Sequence, residues 1–197
     1  MKYGLNLVTA PALEPITTAE AKAQCRIDAN TEDSLVADYV SASRAYLEVS
    51  SGLALITQTF DMTISGWPAD GEGILMPRNP VQSITSVKYY DASNVLQTLS
   101  SAYYEIDVTR TPTRIHLADG YEWPDHYDRL SPIVIRFVAG YGAAASSVPQ
   151  PIRQALKLLV GAYYNNREQV MVSPGLTPVV LPMGVESLMQ PYKVYGF

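Results

Sequence analysis

The period of the hydrophobic residues changes twice along the chain, and this feature constrains the fold more than any other. Residues 1–16 are predicted to be extended, and apolar residues then recur every three or four positions up to about residue 52. They alternate with polar residues from 53 to about 140, and the helical period then returns. A period near 3.6 predicts amphipathic helices, and a period of two predicts half-buried strands. The sequence therefore predicts an α+β protein: a small helical bundle with three main helices, interrupted by an inserted antiparallel β-sheet or barrel segment.

The predicted helices carry recognisable start and stop signals. Thr17 and Glu20 have the spacing of a capping box at the start of a short first helix. A second helix is expected to run to about Ser51, with Gly52 as its C-terminal stop. A third is expected to begin near Pro151, because proline is tolerated in a first helical turn, and to end at about residues 165–167.

The β segment is predicted to hold several short strands separated by turn residues. The run from 132 to 138 is the most apolar, so we expect it to be central, and residues 91–94 have the composition of a turn between two hairpin strands. The predicted strands cover about residues 57–65, 83–90, 95–99, 103–108, 113–117 and 132–138.

The last thirty residues differ from the rest of the chain. Proline and glycine break them repeatedly, yet many positions are apolar, which predicts an extended tail that a small domain cannot cover by itself. A strand hairpin that closes the domain's own sheet is the alternative. The predicted division is 1–52 (helical), 53–140 (β insertion), 141–167 (helix) and 168–197 (partner-binding arm). The candidate interface residues are Val170, Met171, Leu176, Val179, Val180, Leu181, Tyr192, Tyr195 and Phe197.

Charge and cysteine content narrow the possible functions. The formal net charge is −5 and no run of Lys or Arg occurs, so stable binding to a nucleic-acid backbone is not indicated. The single cysteine, Cys25, cannot form an intrachain disulfide. The N-terminal residues lack the apolar region of a signal peptide, and no 18-residue apolar stretch occurs. We therefore expect a protein that is made and assembled in a cytoplasm without contacting a membrane.

Catalytic and metal-binding patterns are weak. The only histidines are His116 and His126, and no phosphate-binding loop or nucleophile elbow is present. The best metal candidate is one acidic loop, whose spacing matches no known metal motif, and a solvated loop is the preferred interpretation. Its residues are Asp119, Glu122, Asp125, His126 and Asp128. The sequence therefore predicts a protein that is not an enzyme and has no catalytic residues, cofactor or metal.

Several segments, taken together in their order and spacing, resemble one protein family. They span nearly the whole chain, and they include 7–11, 14–17, 45–48, 52–59, 75–81, 86–91, 137–142 and 164–168. In this order they resemble the gp6-like and phiE125 gp8-like phage head–tail connectors, a family that includes adaptors of gene transfer agents.

The resemblance implies a structural subunit of a virion and no catalytic residue. It implies a ring, with twelve copies expected, that docks under the portal ring and extends the DNA channel, with DNA only as passing cargo. It also implies a platform for the next tail-completion or stopper protein. The C-terminal segment would reach toward the portal, which agrees with an apolar tail that lacks an intramolecular partner.

Three alternatives remain open. The first is another structural protein, a tail-completion or tail-terminator protein. The second is a carbohydrate- or peptide-binding β module with an aromatic platform, although strand alternation places Tyr89 and Tyr90, and likewise Tyr103 and Tyr104, on opposite faces. That platform would comprise Tyr89, Tyr90, Tyr103, Tyr104 and Trp123. The third is a hydrolase that uses the loop from Asp119 to Asp128.

Overall fold

The structure, a computed structural model, describes residues 3–69, 71–166 and 183–195. These residues form two compact units. The sheet unit comprises the described residues within Met1–Pro11, Gly52–Tyr141 and Val194–Phe197. The helical unit comprises those within Ala12–Ser51 and Gly142–Lys193. The predicted α+β class is confirmed, while the predicted four-part division of the chain stays a prediction.

A five-stranded antiparallel sheet forms the larger part of the sheet unit, in the order β1-β2-β8-β4-β5. The predicted central strand, β8, is confirmed, because it pairs with β2 on one side and with β4 on the other. The strands are β1 (Tyr3–Thr9), β2 (Gln58–Ile64), β4 (Val81–Tyr90), β5 (Leu96–Leu99) and β8 (Ile133–Ala139).

A smaller antiparallel sheet has the order β3-β7-β6. Its strands are β3 (Ile74–Leu75), β6 (Tyr104–Asp107) and β7 (Arg114–Leu117). The core of the unit draws apolar side chains from both sheets. Phe137 of β8 is fully buried and stacks on Phe60 of β2, with ring centroids 5.5 Å apart. Alternate residues of β2 and β8 are buried, as the period of two predicts.

Gly140 lets the chain leave β8 close to a neighbouring segment. Its φ is 137°, and a Cβ at this position would lie 2.6 Å from the Ile56 carbonyl group. Both facts require glycine, because other residues rarely adopt this conformation and no space exists for a side chain. The Gln82 side chain donates a hydrogen bond to the Gly140 carbonyl oxygen at 2.8 Å, which fixes this exit.

The described part of the helical unit has four α-helices. They are α1 (Thr18–Cys25), α2 (Asp33–Ser51), α3 (Gln150–Asn165) and α4 (Met183–Met189). The predicted capping box is confirmed, with the Glu20 amide donating to Thr17 Oγ1 at 3.1 Å and the Thr17 amide donating to Glu20 Oε2 at 2.9 Å. Helix α3 packs against α1, α2 and α4.

Helix α4 lies in the range that the sequence predicted to be an extended tail. For this stretch the prediction is wrong. Val185 and Met189 stand four positions apart and are only 2% and 3% exposed, so one face of α4 is buried. A seven-residue helix has too little periodicity to be recognised between prolines, and its packing against α3 stabilises it. No helix in the described ranges has the length and apolar character to cross a membrane.

Candidate assembly surfaces

Strand β1 forms one edge of the five-stranded sheet and is exposed on both faces. Among the strands of the described residues it pairs only with β2, and six of its seven residues are exposed. Leu7 and Val8 are among the exposed apolar side chains. No charged residue occurs from Tyr3 to Leu13. The sequence predicted that residues 1–16 are extended, which agrees with this strand, although the predicted division of the chain counted them with the helical part.

Strand β5 forms the opposite edge, next to a loop that presents an apolar side chain to solvent. The hairpin predicted for β4 and β5 is confirmed. Beside its turn, the Arg129 guanidinium lies 3.9 Å from the centre of the Tyr90 ring and donates to Asn94 Oδ1 at 3.3 Å. The next residue, Leu130, is 94% exposed, and Leu96 of β5 is half-exposed. The loop is thus held against the hairpin while its leucine faces outward.

The interface residues predicted in the tail fall mostly outside the described residues. Val170, Met171, Leu176, Val179, Val180, Leu181 and Phe197 lie there. Tyr192 ends a short 3-10 helix, Gln190–Tyr192, and is partly buried, whereas Tyr195 is 67% exposed. The prediction that these nine residues form an interface stays a prediction.

An acidic cleft of about 640 Å³ lies beside the smaller sheet. Trp67 and Trp123 contribute to its wall, and their rings stack at 4.6 Å with an angle of 6° between planes. The Trp67 indole N–H donates to the Pro124 carbonyl oxygen at 2.8 Å. Glu72, Asp119 and Glu122 line the cleft as well. Both indoles also pack on the sheet core, so their first role is structural.

The proposed aromatic platform is not formed as one surface. Tyr89, Tyr103, Tyr104 and Trp123 pack against the sheet core, and only Tyr90 lies under Arg129 on the other face. The expectation that Tyr103 and Tyr104 point to opposite faces is wrong, since both contact the core. Tyr103 ends a 3-10 helix, Ser101–Tyr103, so strand alternation does not apply to it.

The residues considered for chemistry do not converge. In the described ranges no three His, Cys, Asp or Glu side chains are placed to hold a metal ion, and this includes the loop from Asp119 to Asp128. His116 lies near Gly73 and His126 near Gly66. Burial raises the pKa of the Cys25 thiol, which lowers the fraction of reactive thiolate at neutral pH.

Comparison with known proteins assigns the chain to one class of protein, the structural components that connect a phage head to its tail. The sequence model of the family described as phage gp6-like head–tail connector protein matches residues 15–122, more than half of the chain. The chain therefore belongs to the phage gp6-like head–tail connector family, and its role is that of a head–tail connector. No curated protein matches it in sequence.

Solved structures are similar to nearly the whole chain. A chain in the virion of a native gene transfer agent particle is 25% identical, with a TM-score of 0.80, and the match covers 98% of this chain and 96% of that one. A chain in the neck of the empty particle, computed with C6 symmetry, is 25% identical with a TM-score of 0.76, and the match covers 98% of this chain and 97% of that one. A chain in the neck of the native particle, computed with C12 symmetry, is 26% identical with a TM-score of 0.70, and the match again covers 98% of this chain and 97% of that one.

Proposed function

We propose that this chain is one subunit of a connector ring that docks on the portal ring of a phage-like particle and continues its DNA channel. The observation that carries the proposal is the whole-chain similarity, at a TM-score of 0.70, to a chain in a particle neck computed with C12 symmetry. A match over 98% of this chain includes residues of both of its units.

The charge of the chain suits a conduit that DNA passes without binding. The net charge is −5, and the acidic residues Asp119, Glu122, Asp125 and Asp128 are exposed in one loop. An acidic surface repels the phosphate backbone, whereas a basic groove would hold it. The proposal therefore treats DNA as passing cargo and the function as structural, without catalysis.

The apolar residues between α3 and α4 are proposed to bind the portal. The sequence from Val170 to Leu181 contains six of the nine predicted interface residues, and it precedes a helix that is anchored by Val185 and Met189. An apolar segment attached to a packed helix can bury its side chains on a partner at a fixed place on the subunit. Assembly of the particle would then follow portal formation, with the next tail-completion protein binding afterwards.

Mass photometry of the purified chain, alone and mixed with the portal ring of the same particle, tests the ring. We expect a discrete complex that contains about twelve added subunits, as the C12 symmetry of the similar neck suggests. If no complex forms at any salt concentration, the portal-docking proposal is wrong. Binding to isolated tail tubes instead would favour a tail-completion protein.

The role of the segment between the helices needs a variant that preserves α4. Truncation after residue 167 would remove the buried Val185 and Met189 and destabilise the helical unit. Serine should therefore replace only the six predicted interface residues of this segment, which are Val170, Met171, Leu176, Val179, Val180 and Leu181. The matched control is Val49→Ser, which removes a 70% exposed side chain from α2. Loss of portal binding in the first variant alone supports the arm, and retained binding in both rejects it.

A further inference from the structure

The two edges of the five-stranded sheet suggest how neighbouring subunits meet. We propose that β1 of one copy adds to β5 of the next copy, so that the sheets of adjacent subunits join side by side around the ring. This inference rests on the proposed ring and adds to it the surfaces that close it. The occupant of each edge is a second copy of this chain.

A cyclic ring requires two different surfaces on each subunit. A surface that binds itself produces a dimer, whereas a head-to-tail contact repeated by rotation closes a ring. Strands β1 and β5 lie at opposite ends of one sheet, with β2, β8 and β4 between them. They therefore supply two unlike surfaces on opposite sides of the same sheet, as a head-to-tail contact needs.

Strand β1 lacks most of the devices that keep edge strands from pairing. Proteins usually protect such edges with charged side chains, proline, short strands or bulges. β1 has seven residues, no charge and no proline, and its one irregularity lies between Leu7 and Thr9. On the face of β1 that points toward the core, Leu5 packs against the hydrophobic core of the sheet unit and Leu7 stays half-exposed. The apolar face of the sheet therefore continues to this edge strand.

The β5 side offers a second uncharged strand with an apolar anchor. No charged residue occurs from Ala92 to Tyr104, which includes all of β5. The half-exposed Leu96 and the outward-facing Leu130 border this strand's hairpin. Lys88 on β4 and Arg129 in the loop supply polar groups around it. An apolar centre with a polar rim is the usual composition of a protein interface.

The strand directions fit a rotation-related contact. All pairs in the sheet are antiparallel, so the first and fifth strands run in the same direction and would pair in parallel. A full turn shared by twelve copies rotates each one by about 30° relative to the next, so β1 of the next copy keeps roughly the direction of β1 in the first.

Cysteine cross-linking on the assembled ring tests the contact. In a Cys25→Ser background, Asn6→Cys marks β1 and Thr98→Cys marks β5, both on the sheet face away from the core. The cross-linker is a bismaleimide that tolerates a register shift of two residues, about 7 Å. The double variant should give a ladder of covalent multimers. Mixed single variants should give dimers only, and each single variant alone should give none.

A charge placed at the anchor provides a second readout. Leu130→Lys should weaken ring assembly at least tenfold without changing the thermal midpoint of the free subunit, because the side chain is almost fully exposed. Val49→Lys is the matched control, an exposed apolar side chain on α2 that carries the same added charge. It should assemble like the unmodified chain.

The outcomes separate this inference from the proposed function. A complete ring without the ladder, or a ring that tolerates Leu130→Lys as well as Val49→Lys, overturns the β1–β5 contact and leaves the connector ring in place. Absence of a ring from the unmodified chain mixed with its portal overturns the proposed ring and, with it, the contact. Covalent dimers from Asn6→Cys alone would indicate a symmetric β1–β1 contact and would also overturn the inference.

Discussion

The buried side chain of Asn79 provides the sharpest test of how the sheet unit is held together. Asn79 is 2% exposed. Its amide donates to the Met76 carbonyl oxygen at 2.9 Å, and its Oδ1 accepts from the Thr113 amide at 2.9 Å. Its backbone amide also donates to the Gly52 carbonyl oxygen, and its carbonyl accepts from Ala54. One residue thus connects three segments of the unit.

Asn79→Ala leaves a buried backbone amide and a buried carbonyl group without their side-chain partner. Each unsatisfied group costs about 1–3 kcal/mol, so for two groups we expect a loss of about 2–6 kcal/mol in the free energy of unfolding. Asn79→Asp retains an acceptor for Thr113 but puts a carboxylate oxygen against the Met76 carbonyl oxygen. It should therefore be at least as destabilising at neutral pH.

Urea unfolding followed by tryptophan fluorescence measures this loss selectively. The chain has two tryptophans, Trp67 and Trp123, and both lie in the sheet unit. The matched control is Asn6→Ala, an exposed asparagine in the same unit, which should change the free energy of unfolding by less than about 0.5 kcal/mol. An Asn79→Ala loss no greater than that of the control would refute the role assigned to these hydrogen bonds.

Three further predictions concern separate parts of the chain. Thr17→Ala should lower the free energy of unfolding by about 1 kcal/mol, because α1 loses its N-terminal cap. The hydrogen bond from the Thr17 backbone lowers the pKa of Glu20 below its ordinary value of 4.5. The unmodified chain should therefore be more stable than Glu20→Gln above pH 4.5, and this advantage should disappear as the pH falls further. Urea unfolding followed by circular dichroism at several pH values would measure the difference. Phe137→Ala should cost about 3–5 kcal/mol by fluorescence-detected unfolding. Arg136→Gln, on the exposed face of the same strand, should unfold at nearly the same urea midpoint as the unmodified chain. An equal loss of stability in Phe137→Ala and Arg136→Gln would contradict the assignment of faces. Cys25 should react with iodoacetamide more slowly than free cysteine at neutral pH, because burial raises its pKa, and equal rates in the folded and urea-unfolded chain would contradict this.

The assembly surfaces were only partly predictable. The sequence predicted an interface in the apolar tail, and most of those residues lie outside the described part of the chain. It could not predict the exposed edges of β1 and β5, because exposure of a strand edge depends on which strands pair on each side. Leu130 has no local signal either, since a leucine in a loop is equally compatible with a buried position.

The sequence by itself determined the type of almost every element. Capping at Thr17, the helical period of α2 and α3, the alternation in β2 and the turn between β4 and β5 all depend on residues a few positions apart, and the structure shows each of them. Such signals are local, because a helix or a hairpin makes its own hydrogen bonds within a short stretch.

Only the tertiary structure decided which distant segments meet. It paired β1 with β2, fifty or more residues away, inserted β8 between β2 and β4, and connected Asn79 to Thr113. It also formed α4 against α3 in a stretch whose prolines and glycines predicted an extended chain. The alternation of apolar and polar residues predicts that one face of a strand is buried, but it does not predict which other strand or helix covers that face. That choice depends on the burial of apolar surface and backbone pairing across the whole unit.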